Sequence, residues 1–226
     1  MQLFSYKDSE LSVHHSLDPT PSPDRFLLHA HRNCELYYFI SGNGHYTVEG
    51  NDYELKSGCF LAMRAGEAHT PHIRPDTPYE RITVNFPLYA LPLLEKELND
   101  LFLDRPLGKS NMLLPGEDST RFISDCMARM CREGSDSDTR TQILSCLMPV
   151  ILELYHIKNN GENTAEKLHI APSQESSETV ARIIEYINAN LTTIKSLDDL
   201  RVSSNQHFLD HGSRAQQRRI QGKKDQ

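Results

Sequence analysis

The sequence contains no tryptophan, no Cys-x-x-Cys pair and no apolar run long enough to cross a bilayer, which takes about 18 residues. Its N-terminus lacks the basic start and apolar centre of a signal peptide. The five cysteines are scattered, which favours a reducing compartment over a disulfide framework and does not support a zinc knuckle. We therefore expect a cytoplasmic protein that has no membrane partner.

An excess of positive charge is also lacking, because the 226 residues contain 24 Lys and Arg against 31 Asp and Glu and carry a net charge of −7. Affinity for phosphates comes from clustered Lys and Arg, so the composition argues against a general nucleic-acid binder. The exception is the segment 201–226, which has six basic residues and two acidic ones. A tail of this kind adheres to phosphate without reading sequence, and we favour a solvated tail over a DNA-contacting element.

Short segments typical of turns recur along the chain up to about residue 90. Glycine-containing turns occur at "SGNG" (41–44), "VEGND" (48–52), "KSG" (56–58) and "RAGE" (64–67). The segments between them, such as "ELYYFI" and "RITVNF", are rich in aromatic and β-branched residues. Turns every 8–12 residues are typical of an antiparallel barrel or sandwich, so a mainly β region is predicted.

Helical periodicity replaces this pattern after residue 90, and a helical region is predicted over 91–158. Apolar residues three or four positions apart form three stripes: Leu91, Leu94, Leu98 and Leu101; Phe122, Ile123, Met127 and Met130; and Ile143, Leu147, Ile151, Leu154 and Tyr155. Each stripe is core by default, and the third is alternatively part of a homodimer interface. The polar segment 159–177 is predicted to be a linker.

The residues that could carry chemistry lie in "HAHRNCELYYF". In an extended strand His29, His31, Glu35 and Tyr37 share one face, because side chains alternate. A neighbouring strand after the "RAGE" turn could bring His69 to them as a fourth ligand. Three interpretations remain open: a divalent metal site, direct contact with an organic effector, or a hydrogen-bonded polar wall of the barrel.

These residues resemble the motifs of the cupin superfamily. His29, His31, Glu35 and Gly42 match the spacing H-x-H-x3-E-x6-G of the first motif, and Gly58, Gly66 and His69 match the second. The sequence departs from the second motif where Arg64 replaces proline and Ile73 replaces asparagine. The resemblance implies a double-stranded β-helix, or jelly-roll barrel, in which His29, His31, Glu35 and His69 hold zinc, iron, manganese or nickel, although no cofactor is required.

Over residues 26–200 the chain also resembles the AraC-type transcriptional regulators, in which a cupin-like sensor is followed by helices and a DNA-binding domain. The positions that match the opening of that DNA-binding domain are Ile183, Tyr186, Ile187, Asn190, Ser196, Leu197 and Leu200. Only 44 residues remain from Ile183 to Gln226, too few for the family's two helix-turn-helix units. A truncated or degenerate segment is therefore expected, with Ser204, Asn205, Gln206 and His207 as its candidate DNA contacts.

The resemblance implies an effector-binding barrel at 1–90, a helical region at 91–158 that often dimerises, a linker at 159–177 and a partial helix-turn-helix at 178–226. The implied function is a homodimeric, non-enzymatic regulator that senses a small molecule and whose DNA binding is impaired. The alternative is a metal-dependent cupin enzyme, an isomerase or dioxygenase. A third interpretation is an interaction module without an effector.

Overall fold

A computed structural model describes residues 1–22, 25–134, 136–163, 165 and 169–170. Within these residues, ten strands form two antiparallel sheets with the orders β1-β2-β8-β3-β6-β9 and β10-β5-β4-β7. The strands are β1 Gln2–Lys7, β2 Ser12–Asp18, β3 Cys34–Ser41, β4 Gly44–Val48, β5 Asn51–Glu54, β6 Phe60–Met63, β7 His69–Ile73, β8 Tyr79–Phe86, β9 Met112–Leu113 and β10 His169–Ile170.

The two sheets enclose an inner core that is rich in aromatic side chains. Tyr37 and Phe39 of the six-stranded sheet and Tyr46 and Tyr53 of the four-stranded sheet belong to it. Since strand residues alternate between faces, Leu36 and Tyr38 point to the other side of β3 and join an outer core. The mainly β region predicted from the turns is therefore confirmed as a β-barrel.

Helices cover the outer face of the six-stranded sheet. They are α1 Glu95–Leu98, α2 Glu117–Met130 and α3 Asp136–Asn159, with short 3-10 turns at Leu88–Ala90 and Pro92–Leu94 and a π-helical turn at Asn99–Leu103. Among the described residues, none of the helices has the length and apolarity that crossing a bilayer requires. All five cysteines are free.

The predicted apolar stripes are buried in the outer core, with exceptions. Phe122 is 47% exposed, because Ile123, Met127 and Met130 already define the buried face and each residue turns the helix by about 100°. Ile143, Leu147, Ile151 and Leu154 of α3 are fully buried within the chain, and only Tyr155 of that stripe is partly exposed. Those four residues are therefore not available to a homodimer interface, and the homodimer itself stays a prediction.

The expected strand through His29 and His31 is wrong, because β3 begins only at Cys34. His29 instead forms an isolated bridge with His69; its N–H donates to the His69 oxygen at 3.2 Å and its oxygen accepts from the His69 N–H at 2.9 Å. The oxygen of His31 accepts from the Gly66 N–H at 2.9 Å. The segment before β3 thus pairs with the "RAGE" turn, and strand parity is not what brings the histidines together.

The described residues of the expected linker pack against the barrel, contrary to the prediction of a loop. Asn163 accepts a hydrogen bond from the Leu114 N–H at 3.0 Å and donates one to the Met112 oxygen at 3.2 Å. Ala165 is 3% exposed in the inner core, and β10 pairs with β5. The rest of 159–177 and the expected helix-turn-helix segment at 178–226 lie outside the described residues.

Candidate metal centre

Four side chains named from the sequence converge at one end of the barrel. One ligand atom from each of His29, His31, Glu35 and His69 lies within 4.8 Å of the other three. Ligands about 2.0–2.2 Å from one ion can be at most about 4.4 Å apart, so small movements suffice to close this set around a single ion. Glu35 and His69 are buried, whereas His29 is exposed, so the cluster opens to solvent on the His29 side.

The three imidazoles are oriented in the same way. Because a carbonyl oxygen only accepts, each Nδ1 must carry a proton, which leaves Nε2 as the nitrogen that can bind a ligand. His29 and His69 can offer that nitrogen directly, whereas His31 Nε2 hydrogen bonds to Glu35 and must release its proton to bind a metal. The pairs are His29 Nδ1 with the Leu27 oxygen at 2.9 Å, His31 Nδ1 with the Asn33 oxygen at 2.8 Å and His69 Nδ1 with the Glu67 oxygen at 2.7 Å. This is how metal-bound histidines are usually held.

His69 Nε2 stands apart from every other buried polar side-chain atom of the described residues. It is the one such atom that has no hydrogen-bond partner, and leaving a buried polar atom unsatisfied costs about 1–3 kcal/mol. Burial lowers the pKa of His69 and outweighs the opposing charge of Glu35, so the imidazole is neutral at pH 7. A neutral, buried and unpartnered nitrogen is suited to ligate a metal ion.

Glu35 supplies the anionic donor. Burial alone would raise its pKa, but the hydrogen bond from His31 and the electrostatic effect of the neighbouring imidazoles outweigh burial and lower it. Glu35 Oε2 lies 3.1 Å from His31 Nε2 and 3.9 Å from His69 Nε2. With Glu35 ionised, the set has three imidazole nitrogens and one carboxylate, a donor set that suits zinc, iron, manganese or nickel.

A buried ion pair holds the turn that carries His69. Glu67 accepts from Arg105 Nη1 at 2.7 Å and from Nη2 at 2.8 Å, and both side chains are almost fully buried. The Gly108 N–H at 2.8 Å and Asn111 Nδ2 at 3.1 Å also donate to this carboxylate. Sequence reasoning missed this network, because nothing in the sequence pairs residues 38 positions apart.

Tyr37, the fifth residue proposed for the pocket, belongs to the closed inner core. It is fully buried beside Tyr46, and its hydroxyl lies 2.6 Å from that of Tyr79. It is not one of the four converging side chains. The candidate DNA contacts Ser204, Asn205, Gln206 and His207 lie outside the described residues.

A separate cavity of about 940 Å³ lies around the ends of β3, β5 and β7 that are remote from Glu35 and His69. Its lining includes Gly42, His45, Lys56, His72 and Arg74. None of the four converging residues borders it, so this cavity is distinct from the candidate metal centre.

Residues 19–85 match the family model described as the cupin domain. This segment contains all four converging residues, strands β3 to β7 and all but the last residue of β8, and the match identifies the fold as a cupin β-barrel. No curated protein sequence matches the chain. The match ends at residue 85, so the resemblance of the following residues to AraC-type regulators remains a prediction.

Solved structures similar to this chain include a cupin protein from Bacteroides fragilis, at 22% identity over 35% of this chain and 67% of that one, with a TM-score of 0.31. Another is the DMSP lyase DddQ from Ruegeria pomeroyi, at 19% identity over 35% of this chain and 39% of that one, with a TM-score of 0.31. A third is Fe(II)-HppE with an alternative substrate, at 19% identity over 34% of this chain and 43% of that one, with a TM-score of 0.30. The chain spans less than half of the last two proteins. At these TM-scores the fold assignment relies on the family model and the sheets.

Proposed function

We propose that the cupin barrel holds one divalent transition-metal ion through His29, His31, Glu35 and His69, and that a small molecule is recognised at this centre. The observation that carries the proposal is the buried His69 Nε2, which has no hydrogen-bond partner among the described residues and lies 3.9 Å from Glu35 Oε2. The three Nδ1 hydrogen bonds support it, since they point the other ring nitrogens to the same place.

A bound ion would supply a Lewis-acidic centre with coordination positions left for the oxygen atoms of a ligand. The residues of the chain perform the other tasks. Glu35 provides the compensating negative charge, the backbone carbonyls fix the imidazole planes, and the exposed edge at His29 gives a ligand access. The Arg105 and Glu67 ion pair keeps the turn before His69 in place.

We propose that this centre serves as the sensor of an AraC-type regulator and that the chain does not turn its ligand over. The resemblance of residues 183–200 to the opening of the family's DNA-binding domain supports this role. In addition, β3 carries Glu35 on its inner face, while Leu36 and Tyr38 on its other face belong to the same outer core as residues of α2 and α3. A ligand that shifts Glu35 would therefore act on the helix packing.

A metal-dependent cupin enzyme is the second candidate. The observation that favours it is the donor set itself, since three histidines and one glutamate with a solvent-exposed edge leave room for a substrate. Incubating the metal-loaded chain with small carboxylic acids and oxygen, followed by chromatography coupled to mass spectrometry so that isomers of equal mass are resolved, separates the two candidates. Conversion above a His69→Ala control would overturn the sensor proposal.

The metal proposal is tested by elemental analysis of the full chain purified without an affinity tag that binds metals. We expect one equivalent of a single divalent metal, lost in His31→Ala and in His69→Ala. The matched control is His72→Ala, because His72 lies on the same strand as His69 but stacks on His45, with a centroid distance of 4.5 Å. Metal retained by His69→Ala, or absent from the wild-type chain after zinc reconstitution, would refute the proposal.

A further inference from the structure

Two rows of polar side chains continue from the candidate metal centre across the inner face of the six-stranded sheet. Residues directly opposite each other in an antiparallel sheet share a face. Asn85 lies opposite Glu35, Ser12 opposite Asn85 and Lys7 opposite Ser12. In the adjacent row, Thr83 lies opposite Tyr37 and His14 opposite Thr83. We call Lys7, Ser12, His14, Thr83 and Asn85 the polar shelf.

The inner core does not cover the polar shelf. Glu35 and Tyr37 are buried, whereas Ser12, His14, Thr83 and Asn85 are partly exposed and Lys7 is exposed. The intervening residues Val13 and Val84 are fully buried in the outer core, which confirms that the shelf residues point to the inner side. The shelf is thus an open polar surface, and its inner end, Asn85, lies next to Glu35, a ligand of the proposed metal.

The polar groups of the shelf are largely unpartnered. No hydrogen bond joins the side chains of Ser12, Thr83 or Asn85 to another described residue, and Lys7 makes no ion pair with one. His14 Nδ1 lies 3.0 Å from Ser5 Oγ, which leaves its Nε2 without a partner in the described part of the chain. Donors and acceptors that converge without satisfying each other are typical of a surface that binds a polar ligand.

Charge indicates which ligand suits the shelf. The nearby acidic residues are already paired: Asp8 and Glu10 with Arg140, and Asp18 with Arg81. Lys7 is therefore a cation without a described partner, and the shelf itself contains no acid. Burial and Lys7 lower the pKa of His14 against the opposing charge of Glu35, so His14 is a neutral hydrogen-bonding group.

We propose that the polar shelf binds the distal carboxylate of a hydroxy-dicarboxylic acid whose hydroxy-acid end is held at the metal centre. Lys7 pairs with that carboxylate, while Ser12, His14 and Asn85 hydrogen bond along the ligand. Neighbouring strands are about 4.8 Å apart, and Asn85, Ser12 and Lys7 lie one, two and three strands from Glu35. The proposal therefore requires the long side chain of Lys7 to extend towards Ser12 when the ligand is bound. The proposal rests on the proposed metal centre.

The test is calorimetric titration of the zinc-loaded full chain with L-malate and with glycolate, which has the same hydroxy-acid end but no distal carboxylate. We expect malate to bind at least about tenfold more tightly than glycolate, as a charge-assisted contact implies. Lys7→Met should remove most of that difference and leave glycolate affinity unchanged. His14→Gln should weaken malate binding by a smaller factor.

Lys56→Met is the matched control, since Lys56 is also an exposed lysine but pairs with Glu54 at the other end of the barrel. Equal affinities of the wild-type chain for malate and glycolate would overturn the shelf proposal. So would a loss of malate affinity that is the same in Lys7→Met as in Lys56→Met. The zinc content of the same samples separates the two failures. A chain without stoichiometric zinc fails the proposed function, whereas a zinc-loaded chain without a malate preference fails only the shelf.

Discussion

His69 Nδ1 donates to the backbone oxygen of Glu67 at 2.7 Å. The side chain of Glu67 is in turn fixed by both terminal guanidinium nitrogens of Arg105 and by the Gly108 N–H. The orientation of a proposed metal ligand is thus tied to a buried ion pair that touches no metal. Groups that orient ligands in this way affect metal affinity by about 10–100-fold when they are changed.

Arg105→Met is expected to weaken both the fold and the metal site, because it leaves the Glu67 carboxylate buried with fewer partners. Breaking one side of such a pair costs about 3–5 kcal/mol in the free energy of unfolding. Zinc affinity should fall by about 10–100-fold. Urea denaturation of the metal-free chain and competition with a chromophoric zinc chelator measure the two effects separately.

Arg64→Met provides the comparison, since Arg64 is partly exposed and its Nε lies 3.9 Å from Glu67 Oε1. A pair of this kind contributes about 0–1 kcal/mol. If Arg105→Met bound zinc as tightly as the wild-type chain, Arg105 would have no role in positioning His69.

The tyrosine pair in the inner core should show strong energetic coupling. The hydroxyls of Tyr37 and Tyr79 lie 2.6 Å apart and are fully buried. Tyr37→Phe or Tyr79→Phe alone leaves one hydroxyl unsatisfied and should cost about 1–3 kcal/mol. In the double variant both hydroxyls are gone, so its cost should be well below the sum of the two. If the losses of unfolding free energy in the two single variants simply added up in the double variant, this double-mutant cycle would show that the hydroxyls do not interact.

Sequence patterns were sufficient for the mainly β fold and for the identity of the four converging residues. Glycine turns located β3 to β6 and β8 but not β1, β2, β9 or β10, and the spacing from His29 to His69 singled out the set. The reason offered for its convergence was wrong, because His29 and His31 lie outside β3 and are held by backbone bridges to His69 and Gly66. Such bridges depend on which segments meet in space, and local periodicity does not encode them.

The polar shelf and the Arg105 network were not anticipated for the same physical reason. Lys7 and His14 come from strands far from the cupin motif in sequence, and only the register of β1, β2 and β8 places them in line with Glu35. For Phe122 the sequence pattern predicted a burial that the structure does not show. Its apolar character suggested burial, but neighbouring helix positions had already filled the buried face.

The hairpin that carries Lys7 and Ser12 should lose stability in acid through Asp8. Burial opposes ionisation, but the Leu11 and Glu10 N–H groups and Arg140 outweigh it and lower the pKa of Asp8 from 3.8 to about 2. A lowered pKa in the folded state stabilises the protein above pH 3.8, and this contribution disappears as the pH falls to about 2. Asp8→Asn should therefore be less stable than the wild-type chain at pH 6.

The free energies of unfolding of Asp8→Asn and the wild-type chain should become similar near pH 2. Urea denaturation at pH 6, 4, 3 and 2 measures this convergence. Asp76→Asn is a suitable control, because Asp76 is exposed and makes no ion pair with a described residue. A stability difference between Asp8→Asn and the wild-type chain that stayed constant over this range would contradict the role assigned to Asp8.

Removing the metal should destabilise the barrel by an amount set by the free metal concentration. An ion that binds only the folded chain adds about 4 kcal/mol at a concentration 1,000 times its dissociation constant. Excess chelator should therefore lower the thermal midpoint of the wild-type chain, and added zinc should restore it. His69→Ala should show no shift in either direction, because one of its buried ligand atoms is gone. His72→Ala leaves all four ligands intact and should respond like the wild-type chain. A wild-type thermal midpoint that changes neither with chelator nor with added zinc would refute a tightly bound ion.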